Sequence, residues 1–104
     1  MKREDEHTFT AELWVWDARR GDTWTFVTLP EEVTRAVQDA SDSRGPRAGF
    51  GSVKVSVRIG GTTWQTSVFP DKSSGLFVLP IKRSVREAVG IEAGDATTVH
   101  IRMS

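Results

Sequence analysis

The sequence predicts a small α+β domain dominated by strands, with six strands and two short helices built as two repeated halves around one core. A phrase that occurs twice carries most of that reading. Phe26-Val27-Thr28-Leu29-Pro30 leads into Val33-Thr34-Arg35-Ala36-Val37, and about fifty residues later Phe77-Val78-Leu79-Pro80 leads into Val85-Arg86-Glu87-Ala88-Val89. In both copies an apolar run ends at Leu-Pro and an amphipathic segment follows. The second observation is period-two alternation in most of the remaining segments, the mark of half-buried strands. The third is the Gly-, Pro- and Asp-rich punctuation between them. Each half reads strand–strand–helix–strand, which points to a small closed or split β-barrel. Closure would remove strand edges that otherwise invite aggregation.

Taken in order, residues 1–7 carry charges of both signs and read as a disordered tail, leaving 8–104 as one barrel domain. From Thr8 to Asp17, Phe9, Ala11, Leu13 and Val15 fall on one face and Thr8, Thr10, Glu12, Trp14 and Trp16 on the other. Arg19-Arg20-Gly21-Asp22 turns the chain into a second strand, Thr23 to Leu29, most simply as a hairpin. Pro30 suits a helix start and Glu31-Glu32 its positive end, so a helix is expected over 31–40 with Val33, Ala36, Val37 and Ala40 on its inner stripe. Ser41 to Ser52, with three glycines and a proline, is a loop. Val53, Val55, Val57 and Ile59 alternate with Lys54, Ser56 and Arg58, and Gly60-Gly61 is a tight turn of the primed type into Thr62–Phe69. Pro70 to Gly75 is a second polar turn, Leu76–Leu79 a short strand, and 81–89 the second helix with Val85, Ala88 and Val89 inward. Gly90 occupies the C-cap position, and Gly94-Asp95 leads to a final strand with Val99, Ile101 and Met103 on one face.

Length and composition bound the function. A chain of 104 residues can bury one core without metal or disulfide support, and with no cysteine it has neither disulfides nor thiolate chemistry. No segment approaches the roughly 18–20 apolar residues of a membrane span, and the N-terminus has no apolar signal region, so a soluble, cytoplasmic protein is expected. Net charge is zero but unevenly spread. Residues 1–42 hold five Lys/Arg against ten Asp/Glu, a net of −5, and residues 43–104 hold nine against four, a net of +5. Such a dipole either steers an anion or partner or is neutralised when the halves pack together.

A familiar pattern runs through the second half: Leu79-Pro80, Val85-Arg86, then Gly90-Ile91-Glu92-Ala93-Gly94-Asp95 before a last strand. It resembles the swapped-hairpin module of AbrB- and MazE-like transcription regulators and antitoxins, where two such halves dimerise into a double-split barrel. Here one chain holds both halves. Over most of residues 8–103 the chain more closely resembles the bacterial and archaeal domain of unknown function 1905 family. The matching stretches are Phe9 to Trp14, Trp24 to Pro30, Gly49 to Val53, Gly60 to Pro70 and Leu79 to Asp95. The resemblance implies a six-stranded double-split β-barrel of unassigned biochemistry. Some members of that family continue into a second domain; none is expected here, and the role suggested for it is not carried over.

Catalysis finds little support. His7 falls in the expected tail and His100 on an outward position of the last strand, and neither has metal or triad spacing. There is no phosphate loop, dinucleotide fingerprint or nucleophile elbow. The expectation is a protein that is not an enzyme and carries neither metal nor cofactor. It is instead a monomeric or weakly dimeric binding module for a small anionic ligand or a protein partner. The residues chosen for that site are Trp64, Ser67, Lys72 and Arg83: an aromatic wall, a hydroxyl and two cations, with Lys72-Ser73-Ser74 offering backbone N–H groups to an anion. The same stretch also reads as an ordinary strand and polar turn. Among the four tryptophans, Trp14 and Trp16 share a face opposite Leu13. If Leu13 faces the core they are partly exposed and able to stack on a base, sugar or partner; otherwise both faces of the strand are covered. The alternative reading is an AbrB-like nucleic-acid-binding regulator using Lys54, Arg58, Arg83 and Arg86, which needs those four cations on one surface. The near-neutral composition argues against nucleic acid as the partner.

Overall fold

The computed structural model describes residues 6–17, 23–43 and 51–103. Along the chain run β1 (Glu6–Glu12), β2 (Trp14–Asp17), β3 (Thr23–Thr28), α1 (Glu31–Ser43), β4 (Val53–Ile59), β5 (Thr62–Asp71), β6 (Leu76–Pro80), α2 (Arg83–Val89) and β7 (Ala96–Met103). The strands form a seven-stranded antiparallel sheet in the order β1-β7-β4-β5-β6-β3-β2. Its first and last strands are consecutive pieces of one chain segment. The sheet therefore curls into a barrel-like wall whose two ends meet at Leu13.

That residue explains why the count is seven and not the expected six. The opening strand pairs with β7 as far as Glu12, then leaves it to pair with β3 from Trp14 onward. Leu13 sits at the change of partner. Its N–H donates to the Asp95 carbonyl and its carbonyl accepts from Gly94 N–H, each at 2.9 Å, and its side chain is buried. In the second half β5 makes the same change without breaking, pairing with β4 over 62–68 and with β6 over 69–71. Thus β1/β2–β3–α1–β4 and β5–β6–α2–β7 are equivalent halves. Their counterparts β3 and β6 pair with each other, as do β4 and β7. The doubled phrase in the sequence is a twofold repeat in the fold.

Alternation places Val53, Val55, Val57 and Ile59 of β4 inside, facing Val68, Phe77, Leu79, Val99 and Ile101. Helix α1 adds Val33 and Val37 to the same core, and α2 adds Val85. Each such side chain contributes about 1.5–3 kcal/mol when withdrawn from water. Gly60 has φ 59°, the positive value a primed turn needs at its first central residue, and Ile59 pairs with Thr62 across it. Gly90 caps α2 at φ 79°, its N–H donating to the Arg86 carbonyl.

Several boundaries move for identifiable reasons. β1 begins at Glu6, so Glu6 and His7, expected in the tail, pair with Arg102 and Ile101. α1 runs on to Ser43, into the expected loop, and residues 44–50 of that loop lie outside the described residues, as does the turn at 19–22. Pro70 and Asp71 belong to β5, opposite Phe77 and Leu76. α2 begins at Arg83 because Ile81 is held in extended backbone, its N–H on the Thr25 carbonyl at 2.8 Å. Val15, expected on the inner face, is exposed, in the strand that follows the change of partner at Leu13. Ala88 is exposed too, since Val85, Val89 and Ile91 supply the packed side of that turn.

One buried polar contact ties the halves together. Leu29 N–H donates to the Phe77 carbonyl at 2.9 Å. The return bond is made through a side chain: Phe77 N–H donates to Thr34 Oγ1 at 3.2 Å, and that hydroxyl donates to the Leu29 carbonyl at 3.3 Å. Helix α1 is thereby locked onto the β3–β6 seam. No helix among the described residues is long and apolar enough to cross a membrane.

Candidate functional site

The residues chosen from sequence are dispersed. Trp64 is half-buried and packs against the core from the inner face of β5. Ser67 points to the opposite face, across from Lys54. Lys72 lies in the turn after β5, separated from Trp64 by roughly 20 Å of extended strand. That turn already holds an anion, the carboxylate of Asp71: the backbone N–H of Ser73 donates to Oδ1 and the Ser74 hydroxyl to Oδ2, both at 3.1 Å. The alternative set is divided as well. Lys54 and Arg58 project from the outer face of β4, and Arg83 and Arg86 stand on α2.

Arg83 and Arg86 do line a cavity, of about 540 Å³, together with Trp24, Pro80 and Lys82. Its construction follows from the β3–β6 pairing. Phe26 is opposite Pro80, which brings the start of β3 beside the end of β6. The Pro80-Ile81-Lys82 segment then leads into α2, so that Lys82, Arg83 and Arg86 share the lining of this cavity with Trp24. That ring is 54% exposed, high for a side chain so large and apolar. Arg83 has an exposed partner in Glu87 at 3.2 Å, a pair of small energetic weight. Among the described residues Lys82 and Arg86 have no carboxylate partner, and Arg86 Nε is buried without any hydrogen-bond acceptor.

Lys82 and Trp24 were not singled out for this site from sequence. Trp24 is one of the four tryptophans and Lys82 precedes Arg83 in the chain, but only the long-range β3–β6 register joins them. A second groove, of about 260 Å³, lies on the outer face of β1, β7 and β4. It holds the bond between Thr8 Oγ1 and His100 Nδ1 at 3.1 Å, the Arg102–Glu6 pair at 3.8 Å, and Arg58 opposite His100. His7 has the parity of Phe9 and faces inward, its Nε2 buried without a partner. Among the described residues no three His, Asp or Glu side chains are placed to hold a metal ion.

Comparison with protein families matches residues 9–101 to DUF1905, a domain of unknown function. Comparison with curated proteins gives no match. The chain belongs to the DUF1905 family.

Proposed function

We propose that this protein is a non-catalytic binding module and that its site is the cavity of Trp24, Lys82, Arg83 and Arg86, which takes a small anion bearing a flat ring. The observation that carries this reading is the lining itself: three cations, two of them without a carboxylate partner among the described residues, share one cavity with an exposed tryptophan. The Arg86 guanidinium and Lys82 supply charge-assisted hydrogen bonds to a phosphate or carboxylate, and the Trp24 face supplies a stacking wall. Arg83 carries over from the residues chosen in the sequence, and Trp24 takes the part assigned there to Trp64. In this reading the protein acts as a monomer or weak dimer, and its two repeated halves form a double-split barrel within one chain.

Calorimetric titration with nucleoside monophosphates and aromatic carboxylates tests the site. Saturable binding that Arg86→Ala abolishes and Trp64→Phe leaves unchanged is the expected result. At about a hundred times its dissociation constant such a ligand adds about 2.7 kcal/mol, enough to raise the melting midpoint by several degrees. Equal binding by the Arg86→Ala variant would refute it. The AbrB-like regulator reading has weaker support, because its four cations divide between β4 and α2.

A further inference from the structure

The Trp24 cavity is one end of a larger surface. Trp16 lies directly opposite Trp24, and Trp14 opposite Phe26, so four rings form a two-by-two array on the outer face of the β2–β3 hairpin. The Trp24 and Phe26 rings are nearly parallel, 13° between planes and 6.3 Å between centroids, and Trp14 meets Phe26 at 5.2 Å. The array is held in place from below. Trp14 Nε1 donates to Thr28 Oγ1 at 2.9 Å, and both Trp14 and Phe26 are half-buried. Its upper rings are left open, Trp16 at 52% and Trp24 at 54% exposure.

We propose that this surface binds single-stranded nucleic acid, with bases stacked on Trp24 and Trp16 and phosphates held by Lys82, Arg83 and Arg86. The inference rests on the cavity reading above, which needs only one anionic group beside one ring, and extends it to a chain of such units. Two features favour a nucleic-acid strand. Of the four well-exposed large apolar side chains among the described residues, three are aromatic, Trp16, Trp24 and Phe69, and flat rings suit the flat face of any base. The cations stand at one end of the array, and two of the three lack a carboxylate partner among the described residues. Directly opposite residues of an antiparallel pair are about 5 Å apart, so Trp16 and Trp24 present neighbouring stacking faces to successive units of one strand.

The test is a tryptophan-fluorescence and calorimetric titration of the full chain with thymidine monophosphate and with three- and six-residue oligothymidylates. Affinity should rise about 5- to 150-fold from the monophosphate to the trimer, the size of one added base–aromatic stack. Trp16→Ala should remove that gain and leave monophosphate binding intact. Arg86→Ala should weaken binding at every length. Three phosphate contacts predict that log Kd rises with log salt at a slope of about 2. Both exposed tryptophans lie outside the core, and a melting curve for each variant separates lost binding from lost folding. Binding that does not depend on length overturns the nucleic-acid proposal and leaves the cavity reading standing. Absence of binding by the oligonucleotides and by every small planar anion overturns both. A ten-residue polyglutamate that binds as tightly as the six-residue oligonucleotide overturns it in favour of an acidic protein segment.

Discussion

Replacing Thr34 by valine should cost this fold more than its size suggests. The hydroxyl stands in for a missing rung of the β3–β6 ladder, accepting from Phe77 N–H and donating to the Leu29 carbonyl. Thr34 is 7% exposed, so water has little access to take over either bond. Valine keeps the volume and leaves the Phe77 N–H buried without an acceptor. That desolvation penalty is about 1–3 kcal/mol, and the lost bond to Leu29 adds about 1 kcal/mol, for a central expectation of about 3 kcal/mol. For 104 residues the unfolding entropy near the midpoint is about 0.2 kcal/mol/K, so each kcal/mol lowers the midpoint by about 4.5 °C. The valine variant should therefore melt about 13 °C below the parent. Thr34→Ser keeps the hydroxyl and removes one methyl, a loss of about 0.8 kcal/mol or about 4 °C. Differential scanning calorimetry of the two variants decides the matter, with hydrogen exchange at the Phe77 amide as the local readout. A valine variant that melts with or above the serine variant would show that the hydroxyl bridge is not what locks α1 to the seam.

Leu13→Ala opens a cavity where the sheet changes partner, and should cost about 3 kcal/mol in denaturant unfolding, with exchange protection lost first in β2 and β3. Gly90→Ala forces a side chain into the left-handed region at φ 79° and should cost about 1 kcal/mol by chemical denaturation, although the space around it is open. A double-mutant cycle on Arg83 and Glu87 should return no more than about 0.5 kcal/mol, because both side chains are well exposed. Iodide should quench the tryptophan fluorescence more strongly than caesium, since Trp24 stands among cations. Trp24→Phe should remove most of that difference, and equal quenching by the two ions would place Trp24 away from Lys82 and the arginines.

Elements set by local pattern stand as expected. Val53–Ile59, the turn at Gly60 and the cap at Gly90 all stand where alternation and turn chemistry put them. The two halves were visible in the doubled Leu-Pro phrase, and the structure repeats them down to the pairing of equivalent strands. The site was much less legible. Arg83 was chosen and lines the cavity, but it was grouped with Trp64 and Lys72, which β5 sets far apart. Trp24 and Lys82 are distant in sequence and meet only because Phe26 registers with Pro80. Nearness in sequence does not join them.

Which side chains face together along one strand follows from the backbone alone, because a pleated strand turns successive residues to opposite faces whatever lies beside it. That local rule, with Gly and Pro punctuation and the internal repeat, was enough to establish a small barrel-like β fold of two halves. Where the core ends is a different kind of question. Trp64 and Trp24 both sit in alternating strands; one packs inward and the other stands more than half exposed. Trp64 shares its face of β5 with the buried Val68, whereas Trp24 stands on the face of β3 opposite the buried Thr25 and Val27, and which face of a strand is covered is set by the packed sheet. Contacts of that kind join residues far apart in the chain, and their energies are settled only when all the strands are packed at once.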